Sequence, residues 1–204
     1  MRILSFLVIG LQGCVSFGPD ADMIAQLNRE VIALQNRNVM LEKTAQTCDD
    51  PTAPPPAIFT DLNQVFYEGD VEIDRDGSVV LVTIPGSTLF ASGSVRVRKE
   101  AQMIFDLLSS ILKTHPDHRV RVVGHTDNTP LSGRLQRAYP SNWELSSARA
   151  SSVIREFVES YDVPPERFSA AGRAEFDPLV DNTTAEGRSS NRRVTLEILP
   201  TEKQ

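Results

Sequence analysis

The sequence predicts an α+β domain over residues 58–204, carried on an N-terminal extension of different character. Two β-rich runs flank an Asp76-Gly77 turn signal. Two longer segments repeat their apolar residues at helical spacing, and short apolar runs follow each of them. Pro54-Pro55-Pro56 separates this region from a heptad-patterned segment upstream.

Taken in order, Ile58 to Tyr67 reads as a short helix, and Val71 to Asp74 and Val79 to Ile84 as the strands of a hairpin. A helix is expected from about Val97 to Thr114, with Ile104, Leu107, Leu108, Ile111 and Leu112 on its buried face. Pro116 follows its end, and Val120 to Val123 is a short apolar strand. Asn142 to Tyr161 is a second helix with Ile154, Phe157, Val158 and Tyr161 at helical spacing, broken by Pro164-Pro165. Arg167 to Ala171 and Val194 to Leu199 are further strands.

The 204 residues carry a formal charge of -6 and are 40% hydrophobic. That supports a true core and argues against a nucleic-acid partner, which favours a basic face. The two cysteines, Cys14 and Cys48, form no metal-ligand spacing.

Residues 1–13 read as a signal peptide: Arg2 supplies the charge and Ile3 to Leu11 a short apolar run. The run is too short to span a membrane, which takes about 20 apolar residues. Leu11-Gln12-Gly13-Cys14 resembles the lipobox of bacterial lipoproteins, which implies cleavage before Cys14 and lipidation of that cysteine. Val15 stands where the enterobacterial retention signal has Asp, so outer-membrane sorting is expected, with the C-terminal domain in the periplasm. Residues 14–20 then form a linker from the anchor.

Residues 21–48 carry a heptad pattern. Leu27, Leu34 and Leu41 occupy d, and Ile24, Val31 and Asn38 occupy a. Such a seam favours a coiled coil, and a lone Asn at a fixes its register. A parallel homodimer is expected; an amphipathic helix packed on the domain is the alternative. Cys48 falls at the next d position, so an interchain Cys48–Cys48 disulfide is a second expectation, set against a free thiol. Residues 49–57 are a spacer: Pro51 ends the helix and Pro54-Pro55-Pro56 favours a stiff extended form.

Ser141-x-x-Glu144 is a capping-box pattern. With Ser141 as N-cap, Asn142, Leu145 and Arg149 share one face of the second helix. The strand ending in Gly124-His125-Thr126-Asp127 delivers Asp127 to a loop near that face. Spacing alone leaves open whether Asp127 and Arg149 form a ligand site or a structural salt bridge.

Three stretches resemble the OmpA C-terminal-like family: Val123-Gly124-His125-Thr126-Asp127-Asn128-Thr129-Pro130, Asn142-Trp143-Glu144-Leu145-Ser146-Ser147-Ala148-Arg149-Ala150, and Gly187-Arg188-Ser189-Ser190-Asn191-Arg192-Arg193-Val194. The resemblance runs from about Ile84 to Leu199. It implies a βαβαβ-type mixed sheet with helices on one face, and peptidoglycan binding through the diaminopimelate of the stem peptide. It assigns Asp127 to the ligand's ammonium and Arg149 to its carboxylate, in a two-pronged contact. Thr129, Asn142, Phe90, Ser92 and Arg192 match further ligand contacts. Many relatives carry Asp where Ala91 stands, so that carboxylate is missing here.

Other readings are weaker. A stator-like ion channel needs an acid-bearing transmembrane helix, and residues 3–11 are short and carry no acid. Ser110-Ile111-Leu112-Lys113 fits the S-x-x-K pattern of wall-cutting enzymes, but the companion motifs are missing, so no enzyme is expected. His125 beside Asp127 lacks a nucleophile. His115-Pro116-Asp117-His118 reads as solvated surface, and neither metal nor cofactor is expected.

Overall fold

The computed structural model describes residues 26, 29–35, 37–38, 55–66 and 71–201. The chain forms two units, Met1–Gln46 and Thr47–Gln204. In the first, the described residues are helical, and Val31 and Leu34 of the heptad seam are 50% and 54% exposed. Cys14, Cys48, the signal and most of the spacer lie outside the described residues. Among the described residues, no helix is long and apolar enough to cross a membrane.

The second unit is an α+β fold. Its five strands are β1 (Glu72–Asp76), β2 (Val79–Pro85), β3 (His118–Gly124), β4 (Phe168–Gly172) and β5 (Arg193–Pro200). They form one mixed sheet in the order β1-β2-β5-β3-β4. Only β3 and β4 pair in parallel; the other neighbours are antiparallel. The helices are α1 (Ala57–Val65), α2 (Gly86–Leu89), α3 (Gln102–Thr114), α4 (Gly133–Ala138), α5 (Asn142–Tyr161) and α6 (Ala185–Asn191).

Alternation along the strands decides where the core sits. Val80, Val82 and Ile84 of β2 are buried, as are Val120 and Val122 of β3 and Val194, Leu196 and Ile198 of β5. On the opposite face Arg121 pairs with Glu197 at 2.9 Å across β3 and β5. Residues i and i+2 of a strand share a face, so these helices cover a single apolar side. Phe105 of α3 and Phe157 of α5 meet there, with ring centroids 4.7 Å apart.

Three local expectations need correction. The hairpin loop is Gly77-Ser78, one residue later than the turn signal, because Gly77 takes the positive φ (57°) that the first position of a type II′ loop requires. The helix expected from Val97 begins only at Gln102, after a 3-10 turn at Lys99–Ala101. Val97 instead bridges to Phe90, and Arg98 N–H donates to Leu89 O at 2.9 Å, closing a loop over residues 90–97. The buried face of α3 is also turned: Phe105, Leu108, Ile111 and Leu112 are buried, whereas Leu107 is only partly so. On α5, Ala150, Val153 and Phe157 form the buried face, with Ile154, Val158 and Tyr161 at its margin.

The approach of α5 to the sheet depends on two glycines. Gly124 and Gly172 are register partners on β3 and β4. A Cβ on Gly124 would collide with the Ser146 carbonyl oxygen, and one on Gly172 with the Ser146 and Ser147 hydroxyls. The missing side chains make a notch into which the N-terminal half of α5 sinks. Gly124→Ala should therefore destabilise the domain by about 2–3 kcal/mol, the upper part of the range for overpacking, because the clash is with backbone. Thermal melts should show a loss of about 5–10 °C; an unchanged Tm would refute the notch.

Candidate functional site

The sheet's register assembles the site at one end of its central strands. Pro85 at the end of β2 pairs with Arg193, and Gly124 at the end of β3 pairs with Val194. The start of β5 thus lies between the ends of β2 and β3. The loops that follow those two strands and the residue that precedes β5, Arg192, converge there.

Helix α5 supplies a further wall. Ser141 caps it: the hydroxyl accepts from Trp143 N–H at 3.2 Å, and Ser141 N–H donates to Glu144 Oε2 at 2.8 Å. The cap sets the helix phase, turning Asn142, Leu145 and Arg149 toward one cleft of about 560 Å³. Phe90, Ser92, Asp127, Thr129 and Arg192 line the same cleft, so all seven residues singled out from the sequence meet in one place.

Their connections differ from the simplest expectation. Asp127 is paired with Arg192, not with Arg149: Arg192 Nη1 donates to Asp127 Oδ2 at 2.6 Å. Oδ1 accepts from Thr129 N–H at 2.9 Å, a local turn that aims the carboxylate. Burial raises the Asp127 carboxyl, but the Arg192 and Thr129 hydrogen bonds outweigh it and hold the group below the usual carboxylate range. It is therefore ionised at neutral pH.

Arg149 is held loosely by comparison. Its Nε donates to Ser94 O at 3.4 Å, and its guanidinium carbon lies 5.3 Å from the Phe90 ring centroid. Among the described residues it forms no ion pair. Burial pushes its pKa down, the nearby Arg192 adds to that, and Asp127 opposes both. A partly buried guanidinium with unused donors is suited to a carboxylate from outside. Asn142 plays another part. Its Nδ2 faces the carbonyls of Asp127 and Thr129, both at 3.4 Å, and steadies the loop.

Several lining residues were not singled out from the sequence. Leu131, Ser132 and Leu135 come from α4 and the segment before it. Arg98 reaches the rim and donates to Ser87 O at 3.1 Å. Only the closure of loop 90–97 brings it there.

The fold and cleft define a class: an α+β domain whose charged groups, from the loop after β3, helix α5 and the residue before β5, meet at one end of a mixed sheet. The OmpA family pattern matches residues 89–192. The chain belongs to the OmpA family, whose domains bind peptidoglycan. It is 31% identical over 172 residues to the uncharacterised protein YtxE of Bacillus subtilis, covering 84% of this chain and 69% of YtxE. It is 37% identical over 133 residues to Motility protein B of the same organism, covering 65% of this chain but only 50% of that protein. A solved structure described as the cell wall anchor of the T6SS from Pseudomonas aeruginosa superposes with a TM-score of 0.63 at 34% identity, covering 72% of this chain and 99% of the other.

Two residues before Asp127, His125 is 3% exposed, and its Nδ1 lies 3.8 Å from Asp177 Oδ2. Burial lowers its pKa from 6.5 to about 4, with Arg193 and Arg173 adding to the effect and Asp177 opposing it. The unfolded chain takes up this proton near 6.5 and the folded chain only near 4. Stability is then complete above pH 6.5 and falls as the pH drops toward 4. His125→Gln should flatten the curve of unfolding free energy against pH in that window by up to about 3 kcal/mol. Parallel curves for the two proteins would overturn this.

Proposed function

We propose that this chain is a non-catalytic tether that grips peptidoglycan through the free end of diaminopimelate in the stem peptide. One observation carries the reading: a buried, ionised Asp127 shares a cleft with Arg149, whose donors are largely unused. The free end of diaminopimelate is zwitterionic. Its ammonium meets Asp127, whose oxygens each keep a second lone pair beside Thr129 and Arg192. Its carboxylate meets Arg149, with Arg192 beside it. Phe90 and Ser92 form the facing wall, and Asn142 and Thr129 hold the loop in place. Membership of the OmpA family and likeness to a wall anchor support the same reading.

Truncating one partner of such a charge pair costs about 2–5 kcal/mol of binding. In co-sedimentation with purified sacculi, Asp127→Ala and Arg149→Ala should stay in the supernatant under conditions that pellet the wild type. Wild-type binding by both variants would sink the site.

The other end of the tether is an extension of the same proposal. Cys14 carries lipid and holds the chain at the outer membrane, residues 21–48 pair in a parallel coiled coil, and Cys48 staples the two strands. Val31 and Leu34 of the seam are exposed, as pairing requires, and so is every other described residue of that segment. A second reading, in which the chain is the wall-anchoring part of a motility or secretion machine, is favoured by the likeness to Motility protein B and to the T6SS anchor. Both share the wall grip and differ in what is held at the far end. Envelope fractions run on non-reducing gels test the anchor and the staple together. Cys14→Ser should leave the membrane fraction, and Cys48→Ser should lose a dimer band that reductant also removes. Membrane retention by the first rules out the lipid anchor, and a wild type that runs only as monomer rules out the staple.

A further inference from the structure

At the opposite end of β3 from Asp127, three side chains with metal-ligating atoms gather outside the cleft. His115 caps the C-terminus of α3, Asp117 follows in the turn, and His118 opens β3. One ligating atom from each lies within 4.8 Å of the other two. Sequence alone made these histidines solvated surface, yet their side chains are only 15% and 12% exposed.

We propose that His115, Asp117 and His118 form a binding site for a divalent first-row transition ion such as Zn²⁺, with Asp61 orienting His115. Each imidazole already has a carboxylate. His115 Nε2 lies 2.7 Å from Asp61 Oδ2, which leaves Nδ1 to bind the ion. Metal-bound histidines nearly always donate their second nitrogen to such a partner, which fixes tautomer and ring orientation. His118 Nδ1 lies 3.0 Å from Asp117 Oδ1. Adjacent ligands of a tetrahedral zinc ion with bonds of about 2.0–2.2 Å stand about 3.3–3.6 Å apart, so this pair has to open by only a few tenths of an ångström. The ion replaces the hydrogen bond between them, and the imidazole proton moves to Nε2. The two rings stand edge to face, 5.8 Å apart. Small turns about χ2, a soft torsion, bring the three donors together.

The backbone presenting these groups is rigid, as a metal site requires. Arg167 is 8% exposed and binds three carbonyls: Leu112 at 2.6 Å, His115 at 2.8 Å and His118 at 2.9 Å. Thr201 N–H donates to the Asp117 carbonyl at 2.7 Å. The loop is therefore held on both sides of each imidazole. Its donor set of two imidazoles and a carboxylate suits zinc, nickel or copper better than magnesium or calcium, which prefer oxygen. Because Asp61 belongs to α1, the bound ion fastens that helix to the α3–β3 turn.

The test uses the untagged full chain carrying Cys14→Ser and Cys48→Ser, so that thiols do not compete. Equilibrium dialysis should give one Zn²⁺ per chain, little competition from Mg²⁺, and a Tm about 5 °C higher with saturating Zn²⁺ than with EDTA. His115→Gln and His118→Gln should each weaken binding at least tenfold. Asp61→Asn, which leaves the ligating atoms intact, should weaken it about 10–100-fold. No saturable Zn²⁺ binding in the dialysis overturns the proposal. So does undiminished binding by a folded His115→Gln/His118→Gln double variant.

Discussion

The depth to which α5 sinks into the Gly124–Gly172 notch sets the geometry of the whole cleft. Backbone touches backbone there, since any Cβ on Gly124 would strike the Ser146 carbonyl. The contact is then locked by polar bonds. Ser146 Oγ donates to Trp143 O at 3.0 Å and accepts from Ala174 N–H at 3.2 Å, and Ala174 O accepts from Thr126 N–H at 2.9 Å. One helix, the loop after β3 and the loop after β4 are thereby joined next to Asp127. Arg149 lies at a fixed rise and rotation from Ser146 along the same helix, so its position follows from the notch.

The charges in the cleft are arranged unequally, and the proposed grip depends on that inequality. Asp127 is stabilised by Arg192 and Thr129, which makes it tolerable as a buried anion. Arg149 has only a long bond to Ser94 and the face of Phe90. A direct Asp127–Arg149 pair would have neutralised both groups and closed the cleft to ligand. Inserting β5 between β2 and β3 prevents this, because it brings Arg192 to Asp127 first. The protein thus leaves the array partly unmatched at Arg149, which is what the proposed carboxylate contact needs.

Strand β3 carries specialised chemistry at each end. Its C-terminal end opens into the cleft, with a buried neutral His125 behind it. Its N-terminal end begins at His118, beside the Arg167 clamp on three carbonyls. A buried guanidinium is costly unless its donors are filled, and here the unpaired carbonyls of a helix end and a turn fill them. The same arrangement that satisfies Arg167 makes the His115–His118 turn stiff.

Local signals in the sequence determined the fold class, the β1–β2 hairpin, the bounds of α5 and its capped start at Ser141. These depend on residues within a few positions of one another. They also determined that Asn142 and Arg149 share a helix face, a matter of 3.6-residue periodicity. Resemblance drew Asp127, Thr129, Phe90, Ser92 and Arg192 into one set, but could not say how they connect. The tertiary structure decided that Asp127 pairs with Arg192, 65 residues away, because strand order alone brings the two together. It also turned α3 to bury Phe105, whose partner Phe157 lies on another helix, and placed Arg98 and α4 at the cleft. Periodicity fixes which residues share a face. Which face meets which depends on long-range packing, and that is not written in any short stretch of the chain.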